Sequence, residues 1–362
     1  MKHVMQRKEP HATRRMRVPA SAIAVAAVAA AAGIAAGHGS AASAANAGKP
    51  PYPSHAAKFK QPKLKAGTLT IKGTNAGERI ALRLAMGDPG VLQVDVGDDG
   101  SADFSFARAD VAKIALDARG GNDAVRIDES NGVFTDSIPT TIDGGNGNDN
   151  LAGGSGAETL RGGRGNDTID GNKGSDIALM GAGDDTFIWD PGDGSDSIEG
   201  GAGADTMRFN GAGVAERVDL SANGNHLRFF RDVATITMDT HGVERVDFNA
   251  LGGPDLVTVN DLRGTDVTSV NVDLAGALGG AAGDGQADRV VVNGTNGNDS
   301  INVNGDAGGV KASGLAATVE VFHSEAANDR LEINTQAGKD SVDSSGLAAG
   351  AIQLLVDGVL VP

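Results

Sequence analysis

The chain has 362 residues, of which 54 are Gly and 3% are aromatic, and it contains no Cys. So much Gly and so few aromatic residues argue against the single large core of an α/β enzyme and favour many short strands joined by turns. The lack of Cys excludes disulfide frameworks, Cys-ligated zinc and thiol nucleophiles. Metal ions are the obvious alternative means of cross-linking such a fold.

Charge is distributed unevenly along the chain. Residues 1–65 hold 11 Lys and Arg and one acid, so that residues 66–362 hold 20 basic and 46 acidic residues, a formal charge of −26. A surface of this kind repels nucleic acid and anionic lipid and attracts cations. The composition therefore predicts no nucleic-acid partner and favours cationic ligands.

Residues 1–47 have the pattern of an export signal. A basic stretch precedes an uncharged Ala-rich run over 20–36, and Ala45–Ala47 fits a signal-peptidase site. The general secretory and twin-arginine routes both fit, and a retained membrane anchor is the alternative. We expect cleavage, which would give a secreted, extracellular chain, in some settings associated with the cell surface, with no membrane span. Residues 48–65, rich in Pro and Lys, are predicted to be an extended linker.

Seven tandem nine-residue units occupy residues 144–208. Most units have Gly at the first, second and fourth positions, and all have an acid at the sixth and an apolar residue at the eighth. The units read GGNGNDNLA, GGSGAETLR, GGRGNDTID, GNKGSDIAL, MGAGDDTFI, PGDGSDSIE and GGAGADTMR. Trp189 and Asp190 are inserted before the sixth unit, and we expect them to bulge out of the coil.

The residue types in these units predict a calcium site. Gly permits left-handed and close-approach backbone conformations that turn carbonyl oxygens towards one point. The sixth-position carboxylate adds a further oxygen. An all-oxygen ligand set on a flexible turn selects Ca²⁺, because Mg²⁺ needs a tighter octahedron and Zn²⁺ prefers His or Cys. The apolar eighth residue is predicted to point inward from a short strand.

The units resemble the haemolysin-type calcium-binding repeats of the repeats-in-toxin (RTX) family, GGxGxDxUx. The resemblance implies an all-β fold, in which two units form one turn of a right-handed parallel β-roll with Ca²⁺ between neighbouring turns. Unit n then pairs with unit n+2, which allows up to five sites, and the last unit ends the stack. The implied calcium ligands are the sixth-position acids Asp149, Glu158, Asp167, Asp176, Asp185, Asp196 and Asp205, and the turn residues Gly145, Gly147, Gly154, Gly156, Gly163, Gly165, Gly174, Gly183, Gly194 and Gly203.

A metal-free solenoid is the alternative interpretation of these turns. Stacked strands lie about 4.8 Å apart, so acids on adjacent turns repel each other by ~1 kcal/mol in water and by several times more at the lower dielectric of a protein. Residues 143–205 contain 13 acids and three basic residues. The charge balance therefore favours bound cations.

The flanking regions contain a longer repeat, in which two acids stand 11 residues apart near period-two apolar strands. The pairs are Glu244 and Asp255, Asp288 and Asp299, and Asp329 and Asp340. We predict an N-terminal β region over 66–142, the calcium-binding β-roll over 143–209, and C-terminal β-solenoid repeats over 210–362, so that irregular β-solenoid coils flank the roll. Propeller-like blades and sandwich-like modules are the alternatives for the flanks.

These features predict a secreted calcium-binding β-roll protein with a structural or adhesive role, whose partners are calcium ions and a cell-surface or matrix polysaccharide. The sequence has no HExxH or GxSxG motif. The alternative is a carbohydrate-active solenoid, similar to a polysaccharide lyase or epimerase, that uses Ca²⁺ and a basic residue such as Arg245. Arg289 and Arg330 recur at the same repeat position, which favours charge pairing as the role of Arg245.

Overall fold

The computed structural model describes residues 59–362. Within this range the chain forms 29 strands and two single-turn 3₁₀ segments, Arg108–Asp110 and Val233–Thr235, and no α-helix. The predicted all-β fold is confirmed. The predicted export signal over 1–47 lies outside the described residues. No helix in the described range is long and apolar enough to span a membrane.

The strands are short and follow one another closely along the chain. The first fifteen are β1 Lys63–Lys65, β2 Thr68–Lys72, β3 Arg79–Ala85, β4 Asp88–Val96, β5 Phe104–Ala107, β6 Lys113–Asp117, β7 Ala124–Asp128, β8 Thr140–Asn146, β9 Asn150–Ala152, β10 Thr159–Arg164, β11 Thr168–Asp170, β12 Ile177–Ala182, β13 Thr186–Trp189, β14 Ser197–Ala202 and β15 Thr206–Asn210. The remainder are β16 Arg217–Asn223, β17 His226–Arg231, β18 Ile236–His241, β19 Arg245–Asn249, β20 Leu256–Val259, β21 Ser269–Asp273, β22 Arg289–Asn293, β23 Ser300–Asp306, β24 Gly309–Ser313, β25 Thr318–Phe322, β26 Arg330–Asn334, β27 Ser341–Leu347, β28 Gln353–Val356 and β29 Val359–Leu360.

The strands form two long sheets. The 15-stranded sheet has the order β1-β2-β6-β8-β10-β12-β14-β18-β17-β16-β20-β22-β26-β28-β29, and the 14-stranded sheet has the order β27-β23-β24-β25-β21-β19-β15-β13-β11-β9-β7-β3-β4-β5. Through the repeat region the chain alternates between them. Leu160 of β10 lies opposite Ile142 and Ala178 of its parallel neighbours, so one turn of the solenoid takes 18 residues, or two nonapeptides.

Within the nonapeptide units, the core is built mainly from the apolar eighth positions. All seven of these residues are buried, namely Leu151, Leu160, Ile169, Ala178, Phe187, Ile198 and Met207. Ala178 is the smallest of them, and the buried Met180 lies two residues further along the same strand. The period of two that predicted inward-facing strands is therefore confirmed.

Trp189 does not bulge out of the coil, and that expectation is wrong. It is the last residue of β13, it is buried, and its ring stacks on Phe209 of the next turn at 3.9 Å between centroids. Its indole N–H donates to the carbonyl of Gly194 at 2.7 Å. The gain from burying a large aromatic ring moves the irregular turn forward, to residues 190–193.

Both sheets run without a break across the predicted boundaries at 142/143 and 209/210. The flanks continue the solenoid and add antiparallel excursions, such as β16-β17-β18 and β23-β24-β25. The fold also includes the end of the predicted linker, since Phe59 is buried and β1 pairs with β2.

Candidate metal centre

Acidic side chains form a column along one edge of the solenoid. Each lies immediately before a strand of the 14-stranded sheet. The backbone N–H of each acid donates to a carboxylate oxygen of the next acid, at 2.6–2.9 Å. This first column consists of Glu78, Asp123, Asp149, Asp167, Asp185, Asp205 and Glu244.

A second column consists of Glu158, Asp176 and Asp196, which precede strands of the 15-stranded sheet. The same backbone-to-carboxylate hydrogen bonds join them, at 2.7 and 2.8 Å. The structure therefore stacks the acid of unit n against that of unit n+2, as the resemblance implied. The stack does not end at Asp205, because Glu244 accepts the Asp205 N–H at 2.8 Å.

One carboxylate oxygen of each sixth-position acid in the nonapeptide units has no hydrogen-bond partner. The unpartnered atoms in the nonapeptide units are Oε1 of Glu158 and Oδ2 of Asp149, Asp167, Asp176, Asp185, Asp196 and Asp205, and all of these residues are buried. A buried polar atom without a partner costs about 1–3 kcal/mol, and more when the group is charged. A bound cation would satisfy these oxygens.

The pKa values of the column acids show that their burial disfavours the ionised form. Burial raises the pKa of Asp167 to about 7, and the neighbouring Asp185 and Asp149 carboxylates add to the increase. Burial, reinforced by Asp196 and Glu158, raises the pKa of Asp176 to about 9. Without a cation these groups hold protons near neutral pH. A divalent cation would replace the protons and let the carboxylates ionise.

The turn glycines allow the coils to stack closely. Gly165 has φ +115°, and a Cβ there would lie 2.1 Å from the carbonyl oxygen of Gly147. Of the ten glycines predicted to matter, seven have left-handed φ, namely Gly145, Gly147, Gly163, Gly165, Gly174, Gly183 and Gly203. Gly154, Gly156 and Gly194 have no left-handed φ.

Gly154, Gly156 and Gly194 are instead required by close approach. A Cβ on Gly194 would lie 1.3 Å from the Gly174 carbonyl oxygen of the preceding turn. A Cβ on Gly156 would lie 2.0 Å from the carbonyl oxygen of Thr135. The turns thus bring backbone carbonyl oxygens within reach of the neighbouring coil.

The donor set fits a hard cation of calcium size. Within residues 59–362 no group of three or more His, Asp or Glu side chains converges as a ready-made metal site. Carboxylates from two turns would supply part of a ligand set, and backbone carbonyl oxygens and water would complete the six to eight oxygens that Ca²⁺ prefers.

Three acids of these columns lie outside the units found from the nonapeptide spacing. Glu78, Asp123 and Glu244 extend the first column, and each precedes a strand with a buried second residue, which is the signal that could have identified them. Asp193 of the inserted turn was also missed. Burial raises its pKa to about 8, and the nearby Asp170 adds to the increase.

Comparisons with known proteins identify the nine-residue units. The family model of the RTX calcium-binding nonapeptide repeat matches four copies, over residues 141–157, 152–187 and 192–211. No curated protein matches at a significant level. Among solved structures, the extracellular lipase LipA from Serratia marcescens is 14% identical, covers 59% of this chain with a TM-score of 0.19, and is itself covered over 43% of its length. The chain thus contains the calcium-binding nonapeptide repeats of the RTX family, folded as a parallel β-roll.

Proposed function

We propose that this is a secreted protein whose folding is driven by Ca²⁺ and whose role outside the cell is structural or adhesive. The observation that carries the proposal is the set of buried carboxylate oxygens without partners along the two columns. A stack of this kind is unfavourable when empty and favourable when it is filled with divalent cations.

The available binding energy is large enough to control folding. A site with a Kd of ~0.1 mM in ~1 mM calcium adds about 1.4 kcal/mol to the stability of the folded state. Five sites add roughly 7 kcal/mol, which is comparable with the whole stability of a typical domain. At the far lower calcium of a cell interior this contribution disappears, which fits the predicted export signal and folding after secretion.

Two adjacent aspartates provide a matched test of the calcium sites. Asp185 is buried with an unpartnered Oδ2, whereas its exposed neighbour Asp184 accepts a backbone N–H through Oδ1, as Asn148 and Asn166 do in earlier units. Isothermal titration calorimetry should show several Ca²⁺ per chain, far weaker Mg²⁺ binding, fewer Ca²⁺ in Asp185→Asn and an unchanged number in Asp184→Asn. Equal stoichiometry in the two variants would contradict the site assignment.

One experiment distinguishes an adhesive role outside the cell from a catalytic one. The calcium-loaded chain is incubated with an array of acidic and neutral polysaccharides, and retention and product release are followed together. An adhesive role predicts calcium-dependent retention without new reducing ends or unsaturated products. Retention that is the same in calcium and in chelator would count against it.

The carbohydrate-active alternative depends on Arg245. Its Nε lies 2.6 Å from Asp247 Oδ1, and Arg289 at the equivalent repeat position pairs with Glu332 at 2.7 Å, which supports a charge-pairing role. Calcium-dependent cleavage that is lost in Arg245→Ala, with calcium stoichiometry intact, would favour the enzyme.

A further inference from the structure

A third acidic column lies in the C-terminal solenoid, beyond the residues matched by the nonapeptide model. It consists of Glu216, Asp255, Asp288 and Asp329, each of which precedes a strand of the 15-stranded sheet. The N–H of each acid donates to the Oδ1 of the next, at 2.8, 2.8 and 3.1 Å. This is the hydrogen-bond pattern of the nonapeptide columns, formed by turns whose sequences no longer follow the repeat.

A basic side chain of the protein neutralises the first acid of this column. Arg231 is buried, and its Nε lies 2.6 Å from Glu216 Oε1. Its guanidinium group also lies 5.2 Å from the centroid of the Trp189 ring. The start of the third column therefore carries a built-in cation.

Further along the column the negative charge has no such partner. Asp255 is 3% exposed and its Oδ2 has no hydrogen-bond partner. Asp284 reaches the same turn, where its Oδ2 accepts the N–H of Gly253 at 2.7 Å. Besides each other, the charged groups that act most strongly on Asp255 and Asp288 are acidic, namely Glu216, Asp284, Glu325 and Asp329.

We infer that the turns of Asp255 and Asp288, with Asp284 at their rim, form an additional site for a divalent cation of calcium size. The cation neutralises the middle of the third column as Arg231 neutralises its start. Backbone carbonyl oxygens and water complete the ligand set, as in the β-roll. The inference rests on the proposed calcium-dependent function and extends it to a region that the recognised repeats do not cover.

Hydrogen exchange of the full chain in calcium and in chelator tests the site locally. Calcium should slow exchange in β20 and β22 as well as in residues 144–208. In Asp255→Asn the calcium-dependent protection of β20 and β22 should be lost, while that of residues 144–208 remains, and the calorimetric stoichiometry should fall by one. Asp284→Asn, on a partly exposed loop, should show the same two changes.

Asp261→Asn is the matched control, because Asp261 is paired on the surface with Arg263 at 2.6 Å. It should leave both readouts unchanged. If calcium protects residues 144–208 but not β20 and β22 of the unaltered chain, this inference is wrong and the proposed function stands. If calcium protects neither region, the proposed function itself fails. Far-UV circular dichroism in calcium should show Asp255→Asn folded, since the change removes a buried charge and keeps the shape.

Discussion

The two oxygens of a column carboxylate have different partners. Asp167 Oδ1 accepts the N–H of Asp149 at 2.8 Å, whereas Oδ2 is buried with no partner. An Asp→Asn change keeps an oxygen for the backbone N–H and removes the negative charge. Such variants therefore distinguish the role of the side chain as a hydrogen-bond acceptor from its role in binding a cation.

Position in the column should decide how many ions one substitution removes. Asp167 has acids on both sides, Asp149 and Asp185, whereas Asp196 ends the second column and has only Asp176. We expect Asp167→Asn to remove about twice as many Ca²⁺ as Asp196→Asn in calorimetric titrations, because it serves the sites above and below. Equal losses would contradict the pairing of unit n with unit n+2.

Three of the four column glutamates stand at the start of a column. Glu78, Glu158 and Glu216 each open a column, so no earlier acid donates its N–H to them. Each instead accepts the N–H of the residue four positions earlier in its own turn, at 2.8–3.2 Å. The nonapeptide spacing predicted Glu158 as a column member. Its role at the start of the column depends on the loop before it, which departs from the repeat.

At the scale of the strand, an aromatic cluster joins the β-roll to the coils that follow. Trp189, Phe209, Phe229 and Phe248 are all buried, and each ring lies within 6.2 Å of another. The four residues come from β13, β15, β17 and β19. The cluster therefore adds side-chain packing to the strand pairing that connects the last nonapeptide turns to the C-terminal solenoid.

Removal of the central ring should weaken this connection. Phe209→Ala is expected to lower the free energy of unfolding in calcium by about 3–5 kcal/mol, the usual cost of deleting a buried Phe side chain. Urea denaturation followed by the fluorescence of Trp189, the single Trp of the chain, measures the loss. Phe230→Ala is the control, since Phe230 is partly exposed under Arg228, and should cost under about 1 kcal/mol. A similar loss in both variants would contradict the role of the cluster.

The strands of the roll were predictable because the turn residues and the buried eighth position recur every nine residues. The antiparallel excursions of the C-terminal coils were not. β17 returns beside β16 and β18 through contacts of Phe229 with Phe209 and of Arg231 with Glu216, which depend on residues of other turns. The burial of Trp189 was missed for a similar reason. Trp189 does not fit the nine-residue spacing and was therefore interpreted as part of an insertion.

For the whole molecule, pH should act in opposite directions with and without calcium. Burial raises the pKa of Asp123 to about 7, of Asp255 to about 8 and of Asp176 to about 9. The cation-free fold thus binds protons more tightly than the unfolded chain does. Its stability is highest below about pH 4 and is lost as the pH rises through about 7 to 9.

Chelator-treated protein should therefore keep its strand signal in circular dichroism near pH 5 and lose it between pH 6 and 9. Calcium affinity should weaken as the pH falls, since protons compete for the same oxygens. Calorimetric titrations at several pH values check the second part. Cation-free protein that is more stable at pH 8 than at pH 5 would contradict the assignment of buried, protonated columns.

The acidic columns extend through most of the described solenoid. Three acidic columns run through residues 78–329 of a body whose formal charge is −26. If divalent cations hold these columns together, the entire described fold depends on them. Far-UV circular dichroism at pH 8, in chelator and then during titration with Ca²⁺ or Mg²⁺, tests this directly. The strand signal should be weak in chelator, rise cooperatively with Ca²⁺ and rise far less with Mg²⁺, whereas a full strand spectrum in chelator that calcium leaves unchanged would contradict the account.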